Sequence, residues 1–225
     1  MTMRQMKLGL VVAACLIGGI AASADSLKYT GYSDWYAANL RWKIPGYMGG
    51  VEQSEDNIVA GYYKYSINGG ATFNSFCLDF FDKADEGPHT YAATALEKAP
   101  LTQAISVGMG SDAALTIQKL WTAFYGKTDN KYSVGDLQVA IWKTVAAGLG
   151  GYLKVTDTTR DAAAQALINY VKNNEVAPAS LFAWSNAEGP GKYQDYIGVP
   201  DGGVTLVLLG MSMGGLAFFA RRKES

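Results

Sequence analysis

A thiol and a carboxamide that could react with each other stand far apart in this chain. Cys77 lies in the segment FCLD (76–79), and Gln138 begins the segment QVAIW (138–142). A thiolate held against a carboxamide carbon can displace ammonia and leave a thioester, provided that water is excluded and the two groups are held together. An amine or hydroxyl of another molecule could then attack the acyl carbon of Gln138 and free Cys77.

Two other roles stay open for Cys77. His89 is the only histidine in the chain, and it could act as the base of a cysteine hydrolase, although no cysteine-protease signature surrounds Cys77. Alternatively, Cys77 is a small buried hydrophobe and Gln138 hydrogen-bonds to the backbone. The acidic residues that follow Cys77 miss the spacing of an EF-hand loop, so we expect a solvated acidic loop and no metal site. These residues are Asp79, Asp82, Asp85 and Glu86.

The region around Cys77 has the pattern of a β-hairpin. Residues 58–67 are rich in Tyr and β-branched residues, residues 68–70 form the turn sequence NGG, and residues 71–81 are predicted to be the return strand. Alternation along that strand places Cys77 on the opposite face from the apolar residues. Those apolar residues are Phe76, Leu78 and Phe80.

The region around Gln138 has the pattern of a helix. Ser133 and Asp136 resemble a capping box, and the helix is predicted to run to about Ala147. Gln138 shares a face of this helix with three apolar residues, where a buried amide needs hydrogen-bond partners. The three are Ile141, Trp142 and Val145. Further helices are predicted at 112–125, capped by Ser111, and at 159–172, with possible strands in 178–198.

Together these patterns predict an α+β fold. A β-rich part, sandwich-like or barrel-like, would carry Cys77, and an inserted helical part would carry Gln138. The paired segments FCLD and QVAIW, with a helical stretch between them, resemble the signature of bacterial thioester domains. Leu137 departs from that signature, since Thr or a similar residue often precedes the Gln. The resemblance implies a thioester domain at 25–198 with a Cys77–Gln138 crosslink. Such a domain is consumed in one event, so we expect a covalent binder without catalytic residues, enzymatic turnover or cofactor.

The N-terminus has the order of features of a secretory signal peptide. Arg4 and Lys7 precede an apolar run at 8–20, and a small-residue cleavage site follows. That site is Ala22, Ser23 and Ala24. Cleavage before Asp25 is expected, and lipidation of Cys15 is the alternative. Cys77 would then be the only cysteine left in an oxidising compartment, where a leftover thiol is buried, bonded to another molecule or chemically used.

The C-terminus has the layout of a membrane anchor. A VPDGG motif precedes an uncharged apolar run at 204–220, which is near the short limit for a transmembrane helix. The motif is Val199, Pro200, Asp201, Gly202 and Gly203. A basic cluster follows the apolar run and is expected to lie in the cytoplasm; it is Arg221, Arg222 and Lys223. This tail, 199–225, resembles a variant PEP-CTERM sorting signal, in which the dipeptide Asp201-Gly202 replaces the usual Glu-Pro. The resemblance implies processing near Pro200 by an exosortase; a plain anchor is the alternative.

Charge and composition exclude one class of partner. Five of the 19 basic and two of the 20 acidic residues lie in these two ends, so the remainder carries 14 basic and 18 acidic residues, a net charge of −4. No basic stripe survives, and nucleic acid is not expected as a partner. We therefore predict a protein of the cell envelope, cell surface or extracellular matrix, initially anchored in the inner membrane. Its function would be covalent adhesion to an amine- or hydroxyl-bearing target, or a structural matrix role without the bond.

Overall fold

The computed structural model describes residues 25–82, 84–100, 107–127, 132–189 and 192–200. In this part of the chain, seven strands and three α-helices form an α+β fold. The strands are β1 (Asp25–Lys43), β2 (Gln53–Ile67), β3 (Thr72–Ser75), β4 (Pro88–Ala95), β5 (Tyr152–Val155), β6 (Phe182–Asn186) and β7 (Tyr196–Gly198). The helices are α1 (Ser111–Phe124), α2 (Val134–Gly148) and α3 (Thr158–Asn173).

The seven strands form one sheet that is nearly closed into a barrel. The strand order is β3-β2-β1-β4-β6-β7, and β5 pairs with the far end of β1. Strand β1 reaches three partners because it is 19 residues long and its pairing with β2 is interrupted by bulges, which bend a strand and increase its twist. An isolated bridge between Cys77 and Tyr196 brings the chain after β3 against β7, the opposite edge. The predicted barrel-like β-rich part is thus confirmed.

The helices are inserted between strands, as the sequence pattern predicted. Helices α1 and α2 lie between β4 and β5 in the chain, and α3 lies between β5 and β6. Helix α2 is buried along nearly its whole length and packs against β1, β2, β5 and the other two helices. Gly135, in its first turn, contacts the Tyr36 ring and the Ala60 carbonyl oxygen so closely that no side chain would fit. This close approach holds the helix that carries Gln138 against the sheet.

Two local predictions are confirmed. Ser133 caps α2 by accepting a hydrogen bond from the Asp136 N–H at 3.1 Å, and Asp136 accepts from the Ser133 N–H at 2.8 Å. The turn between β2 and β3 is also as predicted, with Asn68 and Gly69 at φ values of 49° and 72°. Two consecutive positive φ angles are typical of the type I′ turn that joins tightly twisted strands.

Two other predictions need correction. The return strand, expected at 71–81, ends at Ser75, because the following residues pair with β7 and not with β2. Ser111 does not cap α1; the cap position is Gly110, and no side chain caps it. Among the described residues, no helix is long and apolar enough to cross a membrane. The predicted signal peptide and the predicted span at 204–220 lie outside the described residues.

Candidate functional site

The segment that carries Cys77 is held in place by strand-like hydrogen bonds to β7. The Leu78 N–H donates to the Asp195 carbonyl oxygen at 2.8 Å, and the Ile197 N–H donates to the Phe76 carbonyl oxygen at 3.0 Å. Cys77 lies between these two bonds. Its backbone is therefore fixed from one side, and its own N–H and C=O are turned toward α2.

The carboxamide of Gln138 lies directly against the backbone of Cys77. The Cys77 N–H donates to Gln138 Oε1 at 3.0 Å, and Gln138 Nε2 donates to the Cys77 carbonyl oxygen at 2.8 Å. Both residues are fully buried. The structure thus brings together the two residues that the sequence singled out, and the buried amide finds the partners that it needs.

The Cys77 thiol is buried and unionised. Its Sγ donates a hydrogen bond to the Asp79 carbonyl oxygen. Burial raises the pKa of the Cys77 thiol well above its ordinary value, and the nearby Asp79 carboxyl raises it further. Because the thiolate is the nucleophilic form, the thiol must lose its proton as it attacks.

Aromatic side chains close the site. Trp142, one helical turn after Gln138, is fully buried and meets the Phe80 ring edge to face with centroids 6.2 Å apart. Trp142 also lies beside the Cys77 thiol and opposes the rise in its pKa. Its indole Nε1 has no nitrogen or oxygen partner among the described residues, and it acts on the Cys77 thiol as a hydrogen-bond donor. These rings exclude water from the thiol and the carboxamide.

The acidic residues after Cys77 do not form the solvated loop that the sequence predicted. Asp79 is fully buried, because its Oδ2 accepts a hydrogen bond from the Asp195 N–H at 2.8 Å within the barrel. Burial raises its pKa well above the ordinary value, and burial raises the pKa of Asp82 to about 6. Only Asp85 and Glu86 are exposed. Among the described residues, no cluster of three or more His, Cys, Asp or Glu side chains is arranged to hold a metal ion.

His89 lies at a different place on the sheet from Cys77. Its Nδ1 is 3.3 Å from Glu188 Oε1, its Nε2 is 3.3 Å from Asp85 Oδ1, and its ring stacks on Tyr193 with centroids 3.5 Å apart. The described contacts of the His89 ring do not include the thiol of Cys77. The structure therefore does not assemble the Cys–His pair that a hydrolase needs.

The contact between Gln138 and Cys77 has chemical consequences for the carboxamide. A hydrogen bond from a backbone N–H to the amide oxygen polarises the carbonyl group, and the same N–H can stabilise the oxyanion that forms when a nucleophile adds to the carbon. The donor belongs to the residue whose thiol is the candidate nucleophile. The carboxamide is therefore polarised at a buried position beside the residue whose thiol is the candidate nucleophile.

A search of protein-family models, curated proteins and solved structures found no match to this chain. Sequence reasoning missed Asp195 and Tyr196, which lie against the Cys77 segment from the β7 side, and it assigned Asp79 to a solvated loop. For Asp79 a signal was present, since it alternates with Cys77 on the face opposite the apolar residues. Of the sorting motif, Val199 is half-exposed after β7, and the residues from Asp201 onward lie outside the described part.

Proposed function

We propose that this chain is an exported, surface-displayed protein whose domain binds a target covalently through a Cys77–Gln138 thioester. The observation that carries the proposal is the paired hydrogen bonding between the Gln138 carboxamide and the Cys77 backbone in a fully buried site. A buried position protects a thioester from hydrolysis, and the fixed carboxamide supplies the effective concentration that its formation requires.

In the proposed reaction, the sulfur of Cys77 adds to Cδ of Gln138 and the C–N bond breaks. The thiol proton leaves with the nitrogen as ammonia, and a thioester joins the two side chains. An amine on a target then attacks the acyl carbon of Gln138, the C–S bond breaks, and Cys77 recovers its proton. The product is an amide between Gln138 and the target. A hydroxyl-bearing target gives an ester in the same way.

The two ends of the chain determine the proposed location. The basic, apolar and small-residue order at 1–24 supports export, and the VPDGG tail supports sorting by an exosortase from the inner membrane to the cell surface or extracellular matrix. An adhesin consumed in a single covalent event suits such a place, because it needs neither turnover nor a cofactor.

A structural role in the envelope or matrix is the second candidate, and one observation favours it. The Gln138 carboxamide already donates and accepts one hydrogen bond each with the Cys77 backbone. These two hydrogen bonds give the buried amide the partners that it needs, without any covalent bond. In that case, Cys77 and Gln138 serve only to fasten α2 to the sheet.

Intact-mass spectrometry of the purified protein separates these two functions. With the thioester, the protein is lighter than its sequence by one ammonia, and Cys77→Ala and Gln138→Ala each remove the deficit in folded protein. The same spectrum identifies the ends of the mature chain, expected at Asp25 and near Pro200. Full sequence mass, together with a Cys77 that is alkylated once the untreated protein is unfolded, would leave the structural role as the better account.

His89→Ala tests the remaining hydrolase alternative. Because the His89 ring contacts Asp85, Glu188 and Tyr193, we expect this variant to bind an amine probe as well as the parent does. Gel fluorescence of a labelled amine measures the reaction. Loss of labelling in a folded His89→Ala protein would instead favour a Cys–His mechanism.

A further inference from the structure

We propose that the Asp79 carboxyl group carries the proton between the Cys77 thiol and the departing nitrogen of Gln138 when the thioester forms. The inference rests on the proposed function and adds to it the group that makes bond formation possible in a dry site. Asp79 would also make the rate of bond formation depend on pH.

The position of Asp79 supports this role. Its backbone carbonyl accepts the hydrogen bond of the Cys77 thiol, which places the Asp79 backbone at the reacting sulfur, and its carboxyl is close enough to raise the pKa of the thiol. Its carboxyl Oδ2 is held by the Asp195 N–H at 2.8 Å, so the group is fixed in orientation. Its other oxygen, Oδ1, is buried and has no hydrogen-bond partner of standard geometry among the described residues, although the Asp82 N–H is close enough to the carboxyl to lower its pKa. A buried polar atom without a partner is uncommon and costly in a resting fold.

A second polar group lies at the same thiol. The buried indole Nε1 of Trp142 has no nitrogen or oxygen partner among the described residues, and it interacts as a hydrogen-bond donor with the Cys77 thiol, which lowers the pKa of that thiol. The Asp79 carboxyl is close enough to the thiol to raise the same pKa. A sulfur that becomes negative during attack would be stabilised by the indole N–H, and its proton would pass to the carboxyl oxygen.

The reaction needs a proton carrier for two reasons. The Cys77 thiol is protonated in its buried position, so its proton must be taken up as the sulfur attacks. The nitrogen of Gln138 must be protonated as the C–N bond breaks, because an amide anion is a very poor leaving group. In a fully buried site, bulk water does not supply either transfer.

Protonated Asp79 can make both transfers and end in the same state. As the sulfur adds to Cδ of Gln138, the thiol proton passes to one oxygen of the Asp79 carboxyl, and the proton on the other oxygen passes to the departing nitrogen. The C–N bond breaks and ammonia leaves. Asp79 again holds one proton. Burial raises the pKa of Asp79 well above its ordinary value, which favours this protonated starting form.

The charged and titratable side chains that face Asp79 are all acids. Asp195 precedes β7 and Asp82 follows in the same segment, and both carboxyl groups raise the pKa of Asp79. The others are Tyr47, Tyr63, Tyr91 and Cys77. None of these six is a cation, and only the backbone N–H groups of Asp195 and Asp82 act in the opposite direction to burial.

The experiment measures directly how fast the Cys77–Gln138 thioester forms, which we call closure. Ammonia opens a thioester back to the Gln138 carboxamide and the Cys77 thiol, so removing the ammonia by rapid desalting starts closure again. Intact mass then records the loss of one ammonia with time. Asp79→Asn keeps the shape and the acceptor for the Asp195 N–H but cannot exchange a proton. We expect it to close about 100-fold more slowly than the parent, the usual minimum for general acid–base catalysis.

Asp85→Asn is the matched control. Asp85 is an exposed aspartate of the same segment, and closure should keep the parental rate when it is replaced. The advantage of the parent over Asp79→Asn should be largest at low pH and shrink as pH rises through the pKa of Asp79. A merely structural role for Asp79 would not produce that pH dependence.

The outcomes separate the two proposals. A parent protein with the mass deficit, and equal closure rates for the parent and Asp79→Asn at every pH, overturns the role of Asp79 alone. A parent protein without a mass deficit overturns the thioester and the role of Asp79 together. If Asp79→Asn does not fold, the pH profile of the parent decides: a closure rate that only rises with pH, as simple thiol ionisation requires, rejects the proton carrier.

Discussion

Methylamine is expected to add to the purified protein once and only once. In the proposed reaction, the amine attacks the acyl carbon of Gln138, becomes an amide there, and frees the thiol of Cys77. The mass therefore rises from one ammonia below the sequence value to one methylene group above it. At the same time, Cys77 becomes reactive toward maleimide after mild unfolding, whereas the untreated protein is not labelled. The change is all-or-none, since the chain contains one such pair.

Gln138→Glu is the sharpest control for this experiment. The carboxyl group has nearly the shape of the carboxamide, and its protonated form can still accept from the Cys77 N–H and donate to the Cys77 carbonyl oxygen. It is a poor acyl donor, however, so the variant should fold, have no mass deficit and take up no methylamine. Incorporation of methylamine into folded Gln138→Glu or Cys77→Ala would show that the amine reacts elsewhere, and it would contradict the proposed bond.

The burial of the pair also predicts a dependence on the size of the amine. Cys77 and Gln138 are both fully buried, so the acyl carbon is reached only through local opening of the fold. Methylamine should react faster than bulky amines of similar basicity in the isolated protein. A target that binds the domain surface and promotes this opening would overcome the barrier, which gives the covalent step a means of selecting its partner.

Sequence reasoning succeeded where a few adjacent residues determine the structure. The capping box of Ser133 and Asp136 fixes the start of α2, and the phase of the helix then places Gln138 on the buried face. The turn at Asn68 and Gly69 likewise follows from two residues that tolerate positive φ. These features depend on local backbone chemistry, so no knowledge of the rest of the fold was needed.

Sequence reasoning failed where the partner lies far along the chain. The return strand was predicted to continue past Ser75, but the next residues pair with β7. The sequence near Asp195 contains no pattern from which this pairing could be predicted. The same pairing buries Asp79, which by composition belongs to an acidic loop. An aspartate is expected at the surface unless its environment supplies a hydrogen bond, and here that bond comes from the Asp195 backbone.

The buried carboxyl of Asp79 predicts an unusual dependence of stability on pH. Its pKa is raised in the folded protein, so the folded state binds its proton more tightly than the unfolded chain does. Asp79 stabilises the fold fully at pH values below its pKa in the unfolded chain, near 3.8. This stabilisation is lost as the pH rises toward its pKa in the folded protein. While only the folded state holds the proton, the free energy of unfolding falls by about 1.4 kcal/mol per pH unit.

Asp79→Asn should remove this slope. We expect the variant to gain stability relative to its parent as pH rises above the ordinary carboxyl pKa, measured by urea unfolding with Cys77→Ala in both proteins so that the bond is absent. Asp82, whose pKa is raised to about 6, adds a slope of the same sign and interacts with Asp79, so both proteins also carry Asp82→Asn. Exposed Asp85 and Glu188 have lowered pKa values and weakly oppose it in both. Parallel stability curves for parent and variant would mean that Asp79 is ionised in the folded protein, and its buried Oδ1 would then require a cationic or hydrogen-bonding partner.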